Sequence, residues 1–172
     1  MTDNIHNGME RRDFLKLAAI SAGIGVVALA VTARAQDTAK GKYKKAVQFE
    51  MIKIDGSPTD KLKIAKEAGI EGVEINAGTK ENVDELVKAS QETGVKIHGV
   101  IHGWSLDNVP ASIDLAKKLG ADTVLVVPGK VDENNPYDVI YKKSQQVYRE
   151  VIPYAAEQKM LLLVENVWNN FL

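Results

Sequence analysis

Met160-Leu161-Leu162-Leu163-Val164 runs straight into Glu165-Asn166-Val167-Trp168-Asn169-Asn170, and the reading of this chain turns on that stretch. The apolar run reads as a buried strand of a parallel sheet, flanked on both faces by other side chains. It breaks at a carboxylate. A carboxylate at the carboxyl end of such a strand is where α/β sheets carry their chemistry. Glu165 is therefore the first candidate for a catalytic or metal-binding residue. The chain closes at Leu172, just as that site begins to be built.

Four more short β-rich runs precede this one, at 46–52, 72–76, 96–102 and 123–127. Stretches with helical spacing separate them. Ser57-Pro58 supplies a cap and a first-turn proline for the first helix, which stops at Gly69. Thr79 or Lys80 opens the second and Gly94 closes it, while Asn108 and Pro110 begin the third and Gly120 ends it. Asn135-Pro136 begins the fourth and longest, which runs to about Gln158 with Val139, Ile140, Val147, Val151 and Ile152 on its apolar side. Strand–helix–strand repeats imply parallel pairing with right-handed crossovers. No Gly-x-Gly-x-x-Gly follows a strand, so a dinucleotide-binding sheet has no support. The expected fold class is α/β. Five strands and four helices make just over half of an eight-fold barrel, which takes ~250 residues.

The N-terminus reads as an address. Glu10-Arg11-Arg12-Asp13-Phe14-Leu15-Lys16 resembles a twin-arginine export motif. An uncharged stretch rich in Ala and Gly follows over 17–33, and Ala33-Arg34-Ala35 offers a small-x-small cleavage site. The expected organisation is an export signal over 1–35, a linker over 36–43 and a partial barrel over 44–172. The expected location is periplasmic or otherwise extracytoplasmic, with the twin-arginine machinery as a partner. The competing reading of the N-terminus is a weak membrane anchor. Lysine and arginine number 22 against 23 acidic residues, a balance that argues against nucleic acid as a partner. There is no cysteine, which excludes disulfides and thiolate metal sites.

Strand alternation sorts the remaining candidates. His98, Val100 and His102 share one parity on strand three. If that face points into the barrel, His98 sits low and His102 at the catalytic mouth. Each histidine reads equally as a hydrogen-bonded core or rim group. On strand two, Val73 and Ile75 turn towards the helices and Glu74 and Asn76 the other way. An inward Glu74 is costly unless paired or ligated, so it is either functional or part of an internal ion pair. Glu50 shares parity with Gln48 on strand one and is a weaker candidate. Trp104 either stacks on a sugar face or plugs the mouth. Tyr137, after the polar loop that follows strand four, either walls the substrate or packs the first turn of helix four.

The stretch from Lys44 to Leu172 resembles the xylose-isomerase-like TIM-barrel superfamily, in particular its sugar phosphate isomerase/epimerase group. The matching residues are Glu71-Gly72-Val73-Glu74, Val126-Val127-Pro128-Gly129 and, most specific, Val164-Glu165-Asn166-Val167-Trp168-Asn169-Asn170-Phe171-Leu172. The resemblance implies a divalent metal (Mn, Mg, Co or Zn) held by a Glu ending strand five, an Asp on strand six, a His on strand seven and a Glu on strand eight. Glu165 matches the first of these ligands and also one of the two acid/base glutamates. Glu74, His102, Trp104 and Tyr137 are then expected around a sugar or sugar phosphate. Strands six to eight, and with them three of the four expected ligands, are absent from this stretch, so the expectation is that it is inactive alone. It is then a fragment of a longer frame, one half of a complementing or homo-oligomeric barrel, or a remnant. The alternatives are a non-catalytic exported carbohydrate-binding protein and an endonuclease IV-like nuclease.

Overall fold

The computed structural model describes residues 43–168. The expected export signal, all but the last residue of the linker and the segment 169–172 lie outside the described residues. Five parallel strands form one sheet in sequence order: β1 (Ala46–Gln48), β2 (Gly72–Asn76), β3 (Lys96–Gly103), β4 (Thr123–Val126) and β5 (Leu161–Val164). The helices that follow the first four strands are α1 (Pro58–Glu67), α2 (Val83–Thr93), α3 (Val109–Leu119) and α4 (Tyr137–Glu157). This is the partial barrel that the strand–helix rhythm implies.

Local chemistry sets the boundaries. Ser57 caps α1 through a reciprocal pair: its hydroxyl accepts from the Asp60 amide, and its own amide donates to Asp60 Oδ2 at 3.0 Å. Helix α2 starts later than Thr79 or Lys80, because Asn82 Oδ1 accepts from the amides of Asp84 and Glu85 at 2.9 and 3.2 Å. The first strand is shorter than 46–52. After Gln48 the backbone tightens into a single 3₁₀ turn over Phe49–Met51, which buries the Phe49 ring. On α4 the buried side chains are Ile140, Ser144, Val151 and Ala155, whereas Val139 and Ile152 are exposed. The inward stripe is thus rotated from the one the apolar residues suggest. Ser144 can lie inward because its hydroxyl donates to the Ile140 carbonyl at 2.7 Å.

The core lies between sheet and helices. Val73, Ile75, Ile97, Val100, Val124 and Val126 point from the sheet into it, and Leu62, Leu86, Ala89, Ile113 and Ala116 meet them from the helices. Each such fully buried aliphatic side chain contributes about 1.5–3 kcal/mol. The opposite face of the sheet is the barrel lumen. Two register slips in β3 decide what points there. Val73 pairs with Ile97 but Glu74 pairs with Gly99, so His98 is an extra residue. Ile101 pairs with Leu125 but Gly103 with Val126, so His102 is another. Each slip is a β-bulge, which re-aims the side chains after it.

Gly99 is the small residue that lets the lumen layer close. A Cβ there would stand 2.5 Å from Thr123 Oγ1 and 3.3 Å from Glu74 Oε1. Thr123 cannot swing away freely, since its hydroxyl donates to the His98 carbonyl at 2.9 Å. Gly99→Ala should therefore destabilise the fold by about 1–3 kcal/mol, as overpacking does. Adding Thr123→Ala should give a double loss smaller than the sum of the single losses. Urea unfolding of the four proteins checks both expectations.

Candidate functional site

The lumen is a cavity of about 640 Å³ whose wall includes Gln48, Glu74, Asn76, His98, Trp104, Glu165 and Trp168. Each reaches it for a local reason. Glu74 and Asn76 take the lumen side of β2 because Val73 and Ile75 are fully buried on the other. Glu165 continues the alternation of Leu161 and Leu163. Its amide donates to the Val126 carbonyl at 3.1 Å, so the residue stays tied to the end of β4 after the strand proper has ended. Trp104 follows β3 and Trp168 follows β5. The two loops bring the indoles together with centroids 5.8 Å apart and planes tilted by 47°.

The electrostatics are one-sided. Two carboxylates line the cavity, and among its described lining residues there is no lysine or arginine. The salt bridges of the described residues lie elsewhere, at Lys61–Glu81, Lys88–Glu92, Lys96–Asp122, Lys142–Asp138 and Lys143–Asp107. Among the described residues, Glu74 therefore sits inside without the compensating cation that an internal ion pair would supply. His98 stands at the lower end of the lumen, its Cδ2 3.1 Å from where a Cβ on Gly72 would be. Its Nε2 is buried and has no hydrogen-bond partner.

The structure thus gathers Glu74, Trp104 and Glu165, with His98 below them, and leaves two expected residues apart. His102 faces away from the lumen. The slips in β3 break the simple alternation that put it on one face with His98. Its Nδ1 lies 2.7 Å from the hydroxyl of Ser112 on α3, in a small cleft between β3 and that helix. Tyr137 packs on its own helix, its ring stacked on Tyr141 at 5.7 Å. Glu50 sits on the turn after β1, where its Oε1 accepts from the Asn76 amide at 3.2 Å and holds the end of β2. Trp168 and Gln48 are lumen residues that strand alternation did not single out. Trp168 lies three positions beyond Glu165, past the strand, where parity no longer assigns a face.

A tight divalent site needs several ligands, and among the described residues no group of three His, Asp or Glu side chains is placed to hold an ion. Glu165 is the member of the expected ligand set that these residues contain. The described residues therefore do not by themselves fit a metal centre.

Comparisons with known proteins agree with this geometry. The family model described as xylose isomerase-like TIM barrel matches residues 62–172. No curated protein sequence matches the chain closely enough to count as a relative. Among solved structures, the 3-keto-D-glucoside 4-epimerase YcjR from E. coli superposes with a TM-score of 0.61 at 16% identity, over 74% of this chain and 57% of that one. A family 2 AP endonuclease from Brucella melitensis gives 0.58 at 14% identity, over 72% and 55%. An IolI protein with a bound zinc atom gives 0.56 at 16% identity, over 71% and 51%. At these identities the likeness is one of fold, and the chain spans little more than half the length of each structure.

The His102–Ser112 contact carries its own prediction. Burial holds the His102 imidazole below its usual 6.5, with the carbonyls of Ser105 and Asp107 and then the Asp107 carboxylate pulling the other way. The folded state therefore favours neutral His102. As pH falls through about 6.5 the unfolded chain takes up the proton first, and stability drops. His102→Gln keeps a polar partner for Ser112 without titrating. The loss of stability between pH 7 and pH 5.5 should shrink in that variant, as read by urea midpoints at the two pH values.

Proposed function

Because the chain belongs to the xylose isomerase-like TIM barrel family, we propose that its lumen is the front half of a sugar isomerase or epimerase site. The observation that carries this reading is the convergence of Glu74 and Glu165 with two indoles in one cavity that has no lysine or arginine in its described wall. Isomerisation and epimerisation of sugars begin by removing a proton from the carbon beside a carbonyl. Glu165 stands at the carboxyl edge of the sheet, where a base can reach such a carbon. Glu74 lies across the lumen on β2, placed to accept a hydrogen bond from a sugar hydroxyl and fix the ring for that transfer. The indoles stand at the mouth, where they offer apolar faces to a bound sugar ring.

By the family resemblance, Glu165 would be one ligand of a divalent cation, which would supply electrostatic stabilisation of negative charge on the substrate. The described residues do not complete such a site. The rest of the barrel wall, in the same polypeptide or in a complementing half, supplies the remaining groups in this reading. The 3-keto-D-glucoside 4-epimerase among the structural neighbours supports a sugar substrate, and the zinc-bearing IolI protein supports metal use. Export by the twin-arginine route is part of the same proposal, supported by the Arg11-Arg12 motif and the Ala33-Arg34-Ala35 site.

Solvent isotope exchange tests the reaction class. With a keto sugar in deuterium oxide, the whole protein should place deuterium on the carbon beside the carbonyl. Glu165→Gln should lower the exchange rate by at least about 10²-fold, the usual size of a lost general base. A pure carbohydrate-binding protein would bind the sugar and exchange nothing, and that result would overturn the proposal.

A further inference from the structure

The lumen wall also constrains the charge of its ligand. We infer that it takes an uncharged pyranose, a free hexose or a glycoside, rather than a phosphorylated sugar. The inference rests on the lumen being the substrate site, and goes beyond that reading by choosing between its two substrate classes.

Three features of the cavity point the same way. First, a phosphate group brings close to two negative charges, and here it would meet Glu74 and Glu165 with no lysine or arginine among the described lining residues to offset them. Second, Trp104 and Trp168 are 43% and 83% exposed, so both ring systems are open to a ligand at the mouth. A pyranose has an apolar face of C–H groups, which suits the negative face of an indole. Its rim of hydroxyls suits carboxylate and amide side chains such as Glu74 and Asn76. Third, the neighbouring cleft that meets the lumen at Asn76 offers no phosphate clamp. It holds Lys53, Lys61 and Lys80, but also Glu50, Asp55 and Glu81, and Lys61 is tied to Glu81 at 3.2 Å. The two indoles suit the sugar ring, and no described lining residue of the lumen suits a phosphate group attached to it.

These are the two tryptophans of the chain, so its intrinsic emission reports on this site. The protein is titrated in parallel with methyl α-D-glucopyranoside and with glucose 6-phosphate. A saturable change in tryptophan emission is expected with the glucoside, with glucose 6-phosphate at least about tenfold weaker. Equal or tighter binding of the phosphate, or no saturable response to the glucoside, would overturn the inference. Trp168→Leu alters an exposed side chain and leaves Trp104 as reporter. It should weaken glucoside binding by about fivefold, within the range seen for aromatic contacts. An unchanged affinity would remove the stacking role. Glucoside binding without isotope exchange would support the ligand class while overturning the proton-transfer reading. Exchange confined to sugar phosphates would do the reverse.

Discussion

The slip in β3 at His98 is the constraint on which the site depends. Parallel strands hold side chains in layers across a sheet, and a one-residue change of register moves a strand's side chains to the other face. Here the extra residue brings Gly99 level with Glu74 and Thr123, and Val100 level with Ile75 and Val124. The core face stays apolar and fully buried, while the lumen face gains a gap at Gly99 beside the Glu74 carboxylate. Without the slip, strict alternation would put His102 on the lumen face with His98 and turn Gly99 towards the core, and the open space beside Glu74 would be lost.

The two sides of the sheet are finished to different degrees. Between sheet and helices the side chains of β2 to β4 that face the helices, Val73, Ile75, Ile97, Val100, Val124 and Val126, are buried. At β5 the packing thins: on the helix side Val164 is exposed and Ile152 of α4 lies open, and on the lumen side Leu161 and Leu163 are exposed as well. Apolar surface of this kind on a strand paired only on its β4 side, among the described residues, is an edge that another chain segment would cover favourably. The chain spans 57% of the length of the epimerase structure it resembles.

Much of this was legible in the residues. Glycine and proline punctuation, Ser57 capping and short β-rich runs located five strands and four helices, because each boundary has a local cause. Glu74 and Glu165 could be assigned to the lumen because each sits in an unbroken alternation beside large apolar neighbours. Parity failed where the backbone departed from it. A bulge leaves no mark in composition, so His102 was expected in the lumen and instead bonds Ser112 on α3. The turn at Phe49–Met51 likewise took Glu50 off its strand. On α4, apolar character alone could not show that Ser144 lies inward and Ile152 outward, since that depends on which helix face meets the sheet. Trp168 lies beyond the last strand residue, where only the folded loop reveals its partner.

The shared lumen of Glu74, Trp104 and Trp168 underlies both the proposed reaction and the proposed ligand class, and the chain's lack of cysteine allows it to be probed directly. A bimane label on Glu74→Cys is quenched by tryptophan at close range, and position 74 is remote in sequence from both indoles. Its emission should be quenched in the folded protein and recover when Trp104 and Trp168 are both changed to Phe. Emission that is unquenched, or that is indifferent to the loss of both tryptophans, would contradict the placement of Glu74 in that lumen.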